Sequence, residues 1–219
     1  MIEIIPSVLV NTEQAFLDQS RAVENCVSMM QLDIADGIFV PHTTWADPEV
    51  VEKELAIDCE LHLMVAQPLI EARRWMHVPQ VKRVLVHYES SPDTIADVCA
   101  HIHSYGREVG VVLNPDTPQS VIEPILEEID TVMFMGVHPG KQGQKLIPEV
   151  LEKIKAVRFL HPAASLSIDG GVNEDTLPDI IAVGISAVCP GSAIFHNDRP
   201  PEENIARMRA IIHRLTDKN

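Results

Sequence analysis

The stretch RVLVHYESSPDTIADVCAHIHSYGREVGVVLN, residues 83–114, decides the fold. It opens on a short Val- and Leu-rich run, 83–87, that ends at His87. An amphipathic pattern follows over 92–103, with Pro92 where a first helical turn, which has no need of that N–H, would begin. A second apolar run, 109–113, then ends at Asn114. Strand, helix and strand in this order form a βαβ unit, and its two strands must lie parallel.

Outward from this unit the same alternation continues in both directions. Apolar runs at 2–5, 27–33, 59–64, 131–137, 165–169 and 187–190 bring the strand candidates to eight. Helical patterns fill 12–25, 118–129 and 148–160, with Pro118 and Pro148 at first-turn positions. Asn173 caps a further helix through Thr176 to Val183, and Gly184 ends it. Eight successive βα units predict a single (β/α)8 TIM barrel, one domain over residues 1–219. A doubly wound sheet would place a Gly-rich dinucleotide turn after an early strand, and none follows 2–5. The only unusual segment is 196–201, a polar bend before the last helix.

Composition agrees. A chain of 219 residues can bury a full core, and few aromatics among many Val, Ile, Leu and Ala suit an aliphatic barrel interior. The net charge of −15 argues against nucleic acid and anionic membranes as partners. An anionic substrate would need a local nest of backbone N–H groups instead. The opening MIEIIPSVLV lacks a basic flank and a cleavage-like pattern, so it reads as a buried strand, and no run reaches membrane-span length. Cys26, Cys59, Cys99 and Cys189 are widely spaced in apolar surroundings, which predicts buried, reduced thiols in a cytoplasmic protein.

Active sites of such barrels lie at the C-terminal strand ends. Those ends carry, in order, Ser7, Asp33 with Asp36, His62, His87, Asn114, His138, Asp169, and Gly191-Ser192. So many carboxylates and imidazoles facing one mouth imply binding or chemistry. Asp36 is the exception, because Asp36-Gly37 is itself a turn signal. Gly-rich turns at Gly140, Lys141, Gln142 and Gly143, at Gly170-Gly171 and at Gly191-Ser192 bring backbone N–H groups close to an anion, where barrels commonly hold phosphate.

The segments LDIADGIFVPH (32–42), LHLMVAQP (61–68), VHYES (86–90), VGVVLNPDTP (109–118), MGVHPGKQGQKLIPEVLEKIKAVR (135–158), LSIDGGVNEDT (166–176) and PGSAIF (190–195) resemble ribulose-phosphate 3-epimerase signatures in order and spacing. The resemblance covers nearly the whole chain. It implies inversion at C3 of a 2-ketose phosphate, with Asp33 and Asp169 as acid and base on opposite faces of an enediolate. It also implies a divalent cation (Zn, Fe, Mn, Co or Mg) held by those two aspartates, His62 and the residue at 31. Ser7, His62, Met64, Met135, Gly140, Lys141, Gln142, Gly143, Gly170, Gly171, Gly191 and Ser192 are then expected around a small phosphosugar, in a homo-oligomer.

The chain departs from that pattern at the metal site. Residue 31 is Gln where the family has His. An amide oxygen is a weaker donor than imidazole and suits harder ions. Gln31 could ligate such an ion, could hydrogen-bond substrate or a bound water, or could mark a site that has lost its metal. Ala35, Ile38, Gly136 and Lys141-Gln142 also differ from the family pattern. They leave open another ketose phosphate, such as a hexulose or tetrulose phosphate, or a phosphosugar-binding barrel with little turnover. His87 is expected beside the pocket; His77, His101, His103, His161, His196 and His213 are expected at the surface. Trp45, Trp75, Met29, Met30 and Met133 read as packing.

Overall fold

A computed structural model describes residues 2–140 and 143–217. Its strands are β1 (Glu3–Ile4), β2 (Ser7–Val8), β3 (Met29–Ala35), β4 (Asp58–Met64), β5 (Val81–His87), β6 (Glu108–Leu113), β7 (Thr131–Met135), β8 (Leu166–Asp169) and β9 (Ala187–Cys189). All neighbours pair in parallel, in the order β1-β9-β8-β7-β6-β5-β4-β3-β2. β1 and β2 are two halves of one stave, divided at Pro6, which has no N–H to give a ladder. One side of that stave donates to the last strand region, Ile5 N to Val188 O at 2.9 Å and Ser7 N to Pro190 O at 3.1 Å. The other side accepts, Pro6 O from Gln31 N at 2.9 Å. These bonds close the sheet into the TIM-type α/β barrel.

The helices are α1 (Glu13–Val23), α2 (Pro48–Glu54), α3 (Pro68–Trp75), α4 (Ile95–His103), α5 (Glu149–Leu160), α6 (Leu177–Ala182), α7 (Ser192–Phe195) and α8 (Pro201–Thr216). In α4, Ile95, Val98, Cys99 and Ile102 are buried at helical spacing, the three aliphatic side chains contributing about 1.5–3 kcal/mol each by leaving water. Thr12 caps α1 through its side chain, and Asn173 Oδ1 accepts from the N–H groups of Asp175 and Thr176 ahead of α6. The expected helix over 118–129 is instead a 3-10 segment, Gln119–Glu128, because Pro124 inside it removes an N–H and crowds the preceding turn. Pro92 stands in a turn ahead of α4 and not in its first turn. Among the described residues, no helix is long and apolar enough to cross a membrane.

Two apolar shells result. Strand faces and helices share the large outer core, while Ile5, Leu85, Val112, Met133, Met135, Ala187 and Cys189 fill the barrel interior. All four cysteines are free; Cys59, Cys99 and Cys189 are buried and Cys26 is half-buried.

Candidate active site

Alternation along a strand sends Gln31 and Asp33 of β3 to the same side. The parallel register then sets Asp33 beside His62 of β4, and Met135 of β7 beside Asp169 of β8. The result is a buried polar cluster on top of the apolar interior. Asp33 is 3 % exposed and Asp169 7 %, while His62 and Gln31 are fully buried. His62 Nδ1 lies 2.9 Å from Asp33 Oδ1 and 3.4 Å from Asp169 Oδ2. Gln31 Nε2 donates to Asp33 Oδ1 at 2.8 Å and to Asp169 Oδ2 at 2.9 Å.

Charge in this cluster follows from burial and proximity. Burial raises the Asp33 carboxyl, and the charge of Asp169 adds to that, against opposing contributions from His62 and Gln31. Burial also works against a charge on His62. Hydrogen bonds to Asp169 and Asp33, with their charges, overcome it and carry the imidazole up to about 10. Without a cation, His62 is therefore the counter-charge of the aspartate pair.

His62 leans on a further chain of side chains. Its Nε2 is 2.9 Å from His87 Nε2, and the two rings stack at 5.0 Å. His87 Nδ1 is 3.3 Å from Glu89 Oε2, and Glu89 Oε1 accepts from Asn114 N at 2.8 Å and from the Thr117 hydroxyl. Burial lowers His87 to about 4, with Glu89 only partly offsetting it, so this ring is neutral. A neutral His87 that gives its Nδ1–H to Glu89 must accept at Nε2. That orients His62 with Nε2–H outward and Nδ1 toward the aspartates.

The donor set decides whether a divalent ion fits. Asp33, His62 and Asp169 place three buried ligand atoms within 4.8 Å of one another. Two carboxylate oxygens and an imidazole nitrogen suit a borderline or hard divalent cation. The Gln31 amide oxygen is buried without a partner. Amide oxygen and nitrogen have nearly the same shape, so turning the group over would bring the oxygen to the three other donors. The residues fit the group.

Above the cluster opens a narrow cleft with about 470 Å³ of empty space, its open mouth included. Its walls include Ser7, Asp33, His62, Met64, Met135, Gly140, Gly143, Asp169, Gly170, Gly171, Gly191 and Ser192, all of them expected there from the sequence. Gln31 lies beneath the floor and does not line the cleft. Lys141 and Gln142 lie outside the described residues. Leu9, Val137, Gln144, Val172 and Cys189 also line it. The apolar ones among them carry no sign of their own in the sequence. Gly170 and Gly171 have φ of 93° and 71°, and a side chain at Gly171 would meet the Leu146 backbone at 2.6 Å, so glycine is required there. Asp36 is a turn cap: its Oδ1 accepts from Ile38 N and Phe39 N, and its Oδ2 from Ala66 N.

Comparison with known proteins gives a consistent result. The model of the ribulose-phosphate 3 epimerase family matches residues 3–195. The ribulose-phosphate 3-epimerase of Mycobacterium tuberculosis is 35 % identical over 212 residues, covering 90 % of this chain and 87 % of that protein. The Bacillus subtilis ribulose-phosphate 3-epimerase is 32 % identical over 210 residues, covering 89 % and 93 %. The crystal structure of 3-hexulose-6-phosphate synthase from Salmonella typhimurium superposes with a TM-score of 0.76 at 14 % identity, covering 98 % of this chain and 100 % of that one, a likeness of fold.

Proposed function

The chain belongs to the ribulose-phosphate 3-epimerase family, and on that premise we propose that it interconverts ribulose 5-phosphate and xylulose 5-phosphate by moving a proton at C3. The observation that carries this reading is the pair Asp33 and Asp169 at one cleft floor, joined through His62 and Gln31. Inversion needs two acid–base groups, one protonated and one ionised at the start. We assign Asp169 as the base that takes the C3 proton and Asp33 as the acid, one of the two assignments that the pair allows. Asp33 then returns a proton from the opposite face, and the roles exchange in the reverse direction.

The glycine backbone at Gly170-Gly171 and the turn at Gly191-Ser192 would receive the phosphate, with the start of the short α7 adding N–H groups. Ser7, Gly140 and Gly143 also line the cleft, where Met64 and Met135 would keep water from the reacting carbon. Asp33, His62, Asp169 and, through its oxygen, Gln31 would hold a divalent cation. When bound, that cation supplies Lewis-acid stabilisation to the enediolate.

A second reading is another ketose phosphate. Ala35 supports it, because it departs from the family pattern and clusters with Met64, which lines the cleft. Ile38 does not, being 76 % exposed. Turnover on a panel of pentulose, hexulose and tetrulose phosphates separates the readings. A preference for a substrate other than ribulose 5-phosphate would replace the first with the second, and no turnover with any divalent ion would refute both. We also propose self-association, for which the exposed Phe159 and Leu160 at the end of α5 are candidate contacts; light scattering that finds only monomer would refute it.

A further inference from the structure

The Gln31 amide is unevenly satisfied. One end makes two short hydrogen bonds to opposed carboxylates, and the other end is buried with no partner. A side chain chosen only for packing would bring no such imbalance, since an unmet buried acceptor is destabilising. The amide nitrogen also stands 3.4 Å from His62 Nδ1, so it touches all three candidate metal ligands. Its two N–H groups occupy the place from which a cation would be held.

We infer that Gln31 is a two-state ligand: with no metal its NH2 bridges Asp33 and Asp169, and for a cation to bind, the amide turns over and presents its oxygen. The inference rests on the proposed function only in taking this cluster as a metal site. Its physical basis is the sign of the amide dipole. Facing two carboxylates, the nitrogen end is attractive and the oxygen end repulsive; facing a cation, the preference reverses. A histidine at this position cannot exchange a donor for an acceptor by turning an amide. Gln31 therefore holds the metal-free site in shape, and it also weakens metal affinity, because two hydrogen bonds must be given up on loading. An oxygen ligand further shifts preference from zinc toward harder ions such as Mn²⁺.

Full-length wild type, Gln31→Met and Gln31→Glu test this without reference to turnover. Thermal unfolding is followed after chelator treatment, and Mn²⁺ affinity by competition with a chromogenic chelator. Both substitutions remove the bridging N–H groups, so both lower the metal-free Tm, by at least about 3 °C. Gln31→Glu supplies a charged ligand with no N–H bond to break and binds Mn²⁺ at least about tenfold tighter, while Gln31→Met, with no ligand atom of that kind, binds it more weakly. A Gln31→Glu affinity no higher than wild type overturns the inference. Should Gln31→Glu not fold without metal, Gln31→Met decides alone: a chelator-treated Tm within about 1 °C of wild type overturns it.

Nitrogen-15 labelling of glutamine reads the turn itself. The Gln31 side-chain NH2 signal, identified by its loss in Gln31→Met, must shift when diamagnetic Zn²⁺ is bound; an unmoved signal at saturation overturns the two-state reading. A protein that passes these tests yet leaves ribulose 5-phosphate unchanged fails the proposed function and not this inference. One that binds no Mn²⁺ even as Gln31→Glu fails this inference.

Discussion

Replacing His87 by Phe isolates one hydrogen bond. The Phe ring keeps the stacking of His87 against His62, at 5.0 Å, and against Phe39, at 4.7 Å, so packing changes little. What disappears is the acceptor 2.9 Å from His62 Nε2. Both rings are fully buried, so water cannot replace it. An orphaned buried N–H costs about 1–3 kcal/mol. In the metal-free protein His62 can lessen that by giving up its Nε2 proton and keeping the one on Nδ1, but that tautomer has no lone pair for a cation. The same energy then appears in metal binding, as a loss of roughly ten- to hundredfold, the usual range for removing such a supporting partner. Mn²⁺ affinity by chelator competition, with kcat/KM on ribulose 5-phosphate in parallel, measures the effect. His87→Gln, which retains an acceptor, should recover part of both. Affinity and kcat/KM within twofold of wild type in His87→Phe would refute the reasoning, as would a fall in Tm with metal affinity unchanged.

Further outcomes follow from the same cluster. Asp33→Asn and Asp169→Asn should each lower epimerisation by roughly 10²–10⁴-fold with a native circular dichroism spectrum, the scale of general acid–base catalysis; a variant above a tenth of wild-type rate would contradict its role. His62 has its folded pKa raised from 6.5 to about 10, so its contribution to the stability of chelator-treated protein is fully present below the lower value and is lost as pH rises through the higher one. Urea melts from pH 6 to 10.5 should show that decline, and its absence from wild type would contradict the His62–aspartate pairing. Burial raises the thiols of Cys59, Cys99 and Cys189, so alkylation of native protein at pH 8 should be confined to half-buried Cys26; rapid modification of two or more would contradict the burial.

The barrel is legible in the sequence because apolar runs such as 109–113 and 165–169 are short, regularly spaced and separated by helical periodicity. The first stave reads short, as 2–5. Pro6 interrupts its hydrogen bonding without ending its path, and that becomes visible only when both neighbours are in place. The 3-10 segment at Gln119–Glu128 is hidden because its apolar spacing suits an α-helix, while Pro124 decides otherwise. At the site, residue types at strand ends mark Asp33, His62 and Asp169, but their mutual distances depend on register between strands far apart in sequence. His87 is expected near the pocket; its link through Glu89 to Asn114 and Thr117 is not, since it depends on how the segments after β5 and β6 meet. Gln31 stands out as a departure, yet only the structure gives its nitrogen two carboxylates and its oxygen none.

The most direct measurement of the central claim is solvent exchange at C3. Ribulose 5-phosphate is incubated with the Mn²⁺-supplied protein in D₂O and followed by proton NMR. Transfer of the C3 proton through Asp33 and Asp169 predicts xylulose 5-phosphate carrying deuterium at C3, with the C3 signal of the remaining ribulose 5-phosphate fading on the same time course. A C3 proton that persists in both sugars, with every divalent ion supplied in turn, would contradict it.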